Sequence, residues 1–273
     1  MATVKEVYAY LNEKAPFYSQ MSFDNAGFLV GRSDKQVKRI LVALDITEAV
    51  ANEAAQLQAD LIVSHHPVIW EGAKSVTDET ILGRKLLALI THDISAICAH
   101  TNLDAAKGGV NDCLAAALGL RDTQLLKVYG TYEDGTPYGI EQVGTVDGNM
   151  PLTTFAAQVK EKLGSNGVRY VDAGKPVCKV AVGGGSCSGS MKDVLAVGCT
   201  LGAEDAVIAG EAVGALDLND LAILDVGIDA ALRAGGTDIA DSVANFDPCF
   251  FTGDLCFYES LQFSHGRHLR SIQ

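Results

Sequence analysis

Apolar residues recur at two different spacings along the first 120 positions, and the alternation between them outlines an architecture. Val4, Val7, Tyr8 and Leu11 fall at helical spacing and predict an amphipathic helix over 3–14. RILVALDIT (39–47) is a continuous apolar run of the kind carried by a strand buried on both faces. A helix is predicted over 48–59, a strand over 60–66 (DLIVSHH), a helix over 80–92, a strand over 94–100 (ISAICAH) and a helix over 108–120. This last helix is introduced by glycines, with Asn111 or Asp112 near its start. Three β-α repeats imply parallel pairing and an N-terminal α/β unit over 1–125.

From about Arg121 the pattern loosens into TYEDGTPYGIEQVGTVDGN, where Gly, Asp and Pro separate short alternating runs, as in a β-hairpin region. A second α/β unit is expected over 126–273. It contains a helix over 152–164, a strand over 178–186 running into a glycine-rich turn, a helix over 191–199 and a strand over 204–211. The runs at 221–227, 228–234 and 240–246 continue the alternation. The expected fold class is therefore α/β, with layered, mostly parallel sheets and flanking helices.

A chain of 273 residues with 48% apolar and 20% charged residues is large enough for one large or two modest domains with a sizeable core. No apolar run approaches the ~18 to 20 residues that would span a bilayer, so no membrane partner is expected. The segment MATVKEVYAYLNEK lacks the basic and then apolar order of a signal peptide, and export is not expected. A formal charge of −13 repels a phosphate backbone at long range, which disfavours nucleic acid as a partner. The seven cysteines are widely spread and form no C-x-x-C pair, which fits reduced thiols in a cytoplasmic protein.

Ligands of an open parallel sheet gather at the carboxyl ends of its strands. Three polar groups stand there: Asp45 with Thr47 after the first strand, Ser64-His65-His66-Pro67 after the second, and Asp104 four residues beyond His100 after the third. Adjacent histidines at a strand-to-loop corner can diverge enough to serve two different ions, and a mixed imidazole and carboxylate set suits Zn, Mn, Fe, Co or Ni. The same pair can instead hydrogen-bond within a loop, and Asp104 can cap the segment that follows it. His100 sits where a residue supporting the site or the core would sit, Asp24 and Asn25 suit a turn or the rim of a cleft, and Asp45 and Thr47 suit either support of the histidines or a helix cap.

SFDNAGFLVG (22–31), ILVALDIT (40–47), ADLIVSHHPVIW (59–70) and AHTNLDAAKGGVNDCLAAALGL (99–120), in that order, resemble the successive signatures of the GTP cyclohydrolase I type 2 homologues, the NIF-three-like dinuclear metal-centre proteins. The resemblance resumes at VAVGGGSCSGSMKDVLAVGC (180–199), and the short bridging segment 130–170 matches the compact form of the family. It implies two α/β units with a dinuclear metal site in the cleft between them, assembled as a homohexamer. Carried over residue by residue, it makes His65, His66 and Asp104 the metal ligands, with one histidine on each of two divalent cations and the carboxylate completing the pair. It implies hydrolysis of a small, nucleotide-like molecule, with a noncatalytic metal-binding or assembly protein as the alternative.

The resemblance departs after about residue 200. The family completes its site with a His and, four residues later, a Glu; the nearest match, ILDVGIDAAL (223–232), puts Ile228 and Leu232 at those positions, and neither binds metal. A competing alignment on FTGDLCFYESLQFSH (251–265) offers Glu259, His265 or His268. The cluster Gly183-Gly184-Gly185-Ser186 followed by Gly189 suits a tight turn or an anion cradle, but matches neither phosphate-binding fingerprint, and Cys187 beside it suits a small filler.

Overall fold

The computed structural model describes residues 2–164, 167–171, 176–185 and 190–197, with strand segments at 205–209, 222–227, 237–238 and 270–272. The chain divides into two compact units: Met1–Lys107 with Leu232–Phe250, and Gly108–Ala231 with Phe251–Gln273. No helix among the described residues is long and apolar enough to cross a membrane.

In the first unit a short strand β1 (Ala2–Thr3) leads into α1 (Val4–Lys14). Thr3 and Glu6 close this helix start reciprocally: Thr3 Oγ1 accepts from the Glu6 amide at 3.2 Å and Glu6 Oε2 accepts from the Thr3 amide at 2.7 Å. Val4, Val7 and Leu11 form its buried stripe, while Tyr8 stacks on Phe17 with ring centroids 4.5 Å apart. After β2 (Gly27–Val30) and β3 (Gln36–Val37) come β4 (Arg39–Ala43), α2 (Glu48–Gln56), β5 (Leu61–Ser64), α3 (Ile81–Thr91) and β6 (Ser95–Cys98). Strands β4, β5 and β6 pair in parallel, as the three β-α repeats imply. β2 adds antiparallel to β6, and the segment Thr237–Asp238 adds antiparallel to β4. Every residue of β5 and β6 is buried, which is why both read as unbroken apolar runs.

Each central strand stops earlier than its apolar run suggests, at Ala43, Ser64 and Cys98. The residues that follow leave the ladder to serve helix starts and side-chain hydrogen bonds. Thr47 is a helix cap, its hydroxyl accepting from the Val50 amide at 3.1 Å. A five-residue helix α4 (Thr101–Ala105) carries Asp104 inside the helix, so Asp104 is not a cap.

The second unit opens on α5 (Val110–Leu118), which ends at a left-handed Gly119. The apolar face of α5 belongs to this unit's core rather than closing the first: Ala115 and Leu118 cluster with Phe155, Val159, Val180 and Val182. There follow β7 (Arg121–Leu125), the hairpin β8 (Gly130–Thr131) and β9 (Pro137–Tyr138), β10 (Gln142–Met150), α6 (Leu152–Lys162), β11 (Gly167–Val171), β12 (Val177–Gly183), α7 (Met191–Ala196), β13 (Asp205–Ala209) and β14 (Ala222–Gly227). The sheet runs β11-β14-β13-β12-β10-β7, with Arg270–Ile272 beside β11. Its β12, β13 and β14 are parallel and the remaining pairs antiparallel. The structure is thus a mixed α/β protein with parallel and antiparallel pairing in both sheets. The runs predicted at 228–234 and 240–246 lie outside the described residues.

Candidate metal centre

The carboxyl ends of β4, β5 and β6 converge on three imidazoles. Beyond β5 the backbone stays tied to β4, with the His65 amide on Ala43 O at 3.2 Å and the His66 amide on Leu44 O at 2.9 Å. The Ser64 hydroxyl donates to His66 O at 2.8 Å and closes the corner that carries the two rings. The ring centroids of His65 and His66 are 5.1 Å apart, and His100, just after β6, lies 5.0 Å from the first and 5.4 Å from the second. One donor atom from each of His65, His66 and His100 lies within 4.8 Å of the others.

All three rings are oriented in the same way. His65 Nδ1 lies 3.0 Å from Ala99 O, His66 Nδ1 2.9 Å from Asp45 Oδ1, and His100 Nδ1 2.9 Å from Asp24 Oδ1. A backbone carbonyl and an ionised carboxylate accept but cannot donate, so each Nδ1 carries a proton and, in the neutral ring, the lone pair lies on Nε2. Imidazoles that ligate metal are held in this manner, with the second nitrogen donating to an oxygen that fixes tautomer and orientation. Asp104 Oδ1 is 3.8 Å from His65 Nε2, both side chains being nearly buried. Donors that share one ion at ~2.0–2.1 Å lie no more than about 4.2 Å apart, and this pair falls inside that span. The residues present therefore fit a transition-metal ion.

Burial, then the repulsion that His100 and His66 exert in their protonated forms, push the His65 imidazole from 6.5 down to about 3. It is neutral near neutral pH, the form in which imidazole binds metal. Asp24 is fully covered at its side chain. Burial would raise its pKa, but hydrogen bonds from His100 and Thr101 outweigh that and hold it below the usual carboxylate value. Its oxygens accept from the amides of Asn25 at 2.7 Å and Thr101 at 3.0 Å, and from the Thr101 hydroxyl. The hydrogen bond from His66 likewise lowers Asp45 against the effect of its burial. The His100 amide donates to Asn102 Oδ1 at 2.9 Å, and Asn102 Nδ2 donates to Ala15 O at 2.8 Å, anchoring this corner to the end of α1.

The structure gathers His65, His66 and His100 into one cluster, and Asp104 stands beside His65. Asp45 and Asp24, each open to two roles in the sequence, are the carboxylates that orient His66 and His100. The strand-end rule could have singled out His100; Asp24 has no such signal, because its partner lies 76 positions away. Gly184, in the glycine cluster, uses its amide on Asn111 Oδ1 at 2.6 Å. Ile228, Leu232, Glu259, His265, His268, Ser186, Cys187 and Gly189 lie outside the described residues.

A parallel-stranded α/β unit whose strand ends present a histidine cluster of metal-ligand type defines the class. The family description Duf34/NIF3 (NGG1p interacting factor 3) matches residues 2–220, and the chain belongs to that family. A Clostridium perfringens protein named GTP cyclohydrolase 1 type 2 homolog is 34% identical over 213 residues, covering 76% of this chain and 77% of the relative. A protein of the same name from Halalkalibacterium halodurans is 40% identical over 148 residues, which span 54% of this chain and 37% of that longer relative. The crystal structure of a Staphylococcus aureus hypothetical protein superposes with a TM-score of 0.72 at 29% identity, covering 82% of this chain and 85% of that one.

Proposed function

We propose that this chain holds two divalent transition-metal ions through His65, His66 and Asp104, with His100 beside them, and is a metal-dependent hydrolase of a small, nucleotide-like molecule. The observation that carries this reading is the threefold repetition of an imidazole whose Nδ1 is tied to an oxygen. Zn, Mn, Fe, Co and Ni all suit such a donor set. Bound there, such ions supply Lewis acidity toward a phosphoryl or carbonyl oxygen and lower the pKa of water. The chain's own residues do the rest. Burial keeps His65 unprotonated, Asp45 and Asp24 hold the other two rings in place, and Asp104 brings negative charge to offset the cations. The name carried by the relatives supports a nucleotide-like substrate. The same reading places the protein in the cytoplasm as a homohexamer, without nucleic-acid or membrane partners.

A noncatalytic metal-binding or assembly role is the second reading. It is favoured by Ile228 and Leu232, which stand where the family resemblance calls for a His and a Glu. Metal content per chain, by mass spectrometry on protein purified without chelator, tests both readings beside a His65→Ala/His66→Ala double variant. Two ions per chain, lost in the variant, with metal-dependent turnover of nucleotides, is the expected result. Two ions without turnover favours the second reading, and metal no higher than in the variant overturns both.

A further inference from the structure

Two large aromatic side chains stand open to solvent next to the histidines. Phe23 is 65% exposed and Trp70 is 50% exposed. Their ring centroids lie 6.4 Å apart with a 39° tilt, and the indole meets the His100 ring edge-on at 5.5 Å. Exposed apolar surface that adjoins polar, functional groups marks a recognition site more often than isolated exposure does. Here the placement is also fixed from below. Asn25 Nδ2 donates to Ile69 O at 2.7 Å, which ties the Phe23 segment to the Trp70 loop one residue before the indole. Asp24, between Phe23 and Asn25, is the carboxylate that orients His100. The hydrogen bonds that set the imidazole therefore also set the two rings.

We propose that Phe23 and Trp70 form a stacking site for a planar heteroaromatic ring, which they hold while the rest of the molecule reaches the histidines. This deepens the reading of a small, nucleotide-like substrate and rests on it. Any heteroaromatic base offers a π face to such rings, and stacking of this kind needs no hydrogen-bond code. The chain's formal charge of −13 gives an anionic substrate no long-range attraction, so the ring carries the chain's own recognition and the cations take the anionic part.

Trp70 is the only tryptophan in the chain, so its fluorescence reports on this site alone. The metal-loaded protein is titrated with guanosine 5′-monophosphate and, as the arm without a base, ribose 5-phosphate, while metal content is measured in parallel. The nucleotide quenches Trp70 saturably and ribose 5-phosphate does not. Phe23→Ala weakens the nucleotide about 5- to 150-fold with metal content unchanged, and Phe23→Tyr restores it. Quenching that persists in the His65→Ala/His66→Ala variant leaves the stacking site standing where the metal reading has failed. Intact metal with no saturable quenching overturns the stacking site alone. Equal quenching by ribose 5-phosphate overturns it in favour of phosphate capture by the metal. An emission that shifts with protein concentration and ignores nucleotide overturns it in favour of a second copy covering the rings.

Discussion

Asp24→Asn keeps the shape of a buried side chain and reverses the hydrogen-bonding sense of one of its atoms. The carboxylate accepts from His100 Nδ1, the Asn25 amide, the Thr101 amide and the Thr101 hydroxyl, and its side chain has no exposed surface. An asparagine offers one oxygen to these donors, and its NH2 faces either the Thr101 pair or the His100 and Asn25 pair. The first choice leaves a buried N–H without an acceptor. The second sets N–H against N–H, or drives the His100 proton onto Nε2 and removes the lone pair at the cluster. A buried unsatisfied donor costs about 1–3 kcal/mol, and the lost charge assistance adds a similar amount, so about 2–6 kcal/mol of stability is lost. Loss of an orienting partner lowers metal affinity about 10- to 100-fold. Urea titration of the chelator-treated protein reads the first effect, and competition with a chelator for zinc reads the second. Asp45→Asn is the control, because the Asp45 side chain is 51% exposed and water can replace its contact. It loses about 0–1 kcal/mol but a comparable share of metal affinity. An Asp24→Asn protein with the wild-type urea midpoint refutes the buried-acceptor argument, and one that is destabilised yet binds zinc normally refutes the orienting role.

Acidification of the metal-free protein destabilises it through His65. The unfolded chain binds this proton near pH 6.5 and the folded chain only near about 3, so the unfolded state takes up more protons in that window. The contribution is complete above about pH 6.5, amounts to a loss of about 2–3 kcal/mol at pH 4.5, and reaches a loss of about 4 kcal/mol near pH 3. Urea midpoints that do not move between pH 7.5 and 4.5 contradict it. Gly31→Ala lowers stability by about 3 kcal/mol or more in a thermal melt, because φ there is +109° and a Cβ meets Ser95 Cα at 2.8 Å as well as the Ser95 side chain. A melt within a degree of wild type shows that β6 yields. Burial pushes the Cys98 thiol up to about 12, so a disulfide exchange reagent at pH 8 leaves it unmodified in the native protein and modifies it after unfolding. Peptide mapping that finds native Cys98 labelled defeats that expectation.

The central strands were legible because parallel strands covered on both faces carry no polar alternation, and LIVS and SAIC show none. Helix α1 was legible because a solvated helix displays its buried stripe at a fixed spacing. The strand ends were not, since periodicity does not register where a polar residue leaves the ladder to bond sideways, as Asp45 and His100 do. Helix α4 escaped notice because TNLDA is too short to show a period, and it depends on the distant anchors of His100 and Asn102. The apolar face of α5 was visible, but Ala115 and Leu118 do not say which core they enter.

The site was legible in residue type and hidden in register, and the register accounts for the rest of it. Ala43 pairs with Ser64, and Ser64 with Cys98, across the three parallel strands. One position further along stand Leu44, His65 and Ala99, and two positions further stand Asp45, His66 and His100. The hydrogen bonds follow these rows: His65 bonds Ala99 within the first row, and His66 bonds Asp45 within the second. His100 enters the cluster because it shares the row of His66, so aligning the apolar runs LVA, IVS and AIC end to end selects it without any structure. A one-residue slip of β6 against β5 would break both rows, facing His66 with Ala99 or Thr101 and removing the carbonyl that holds the His65 tautomer. Asp104 and Asp24 stay outside this scheme. Asp104 stands on α4 and Asp24 reaches His100 from the segment before β2, so no row of the parallel ladder contains either.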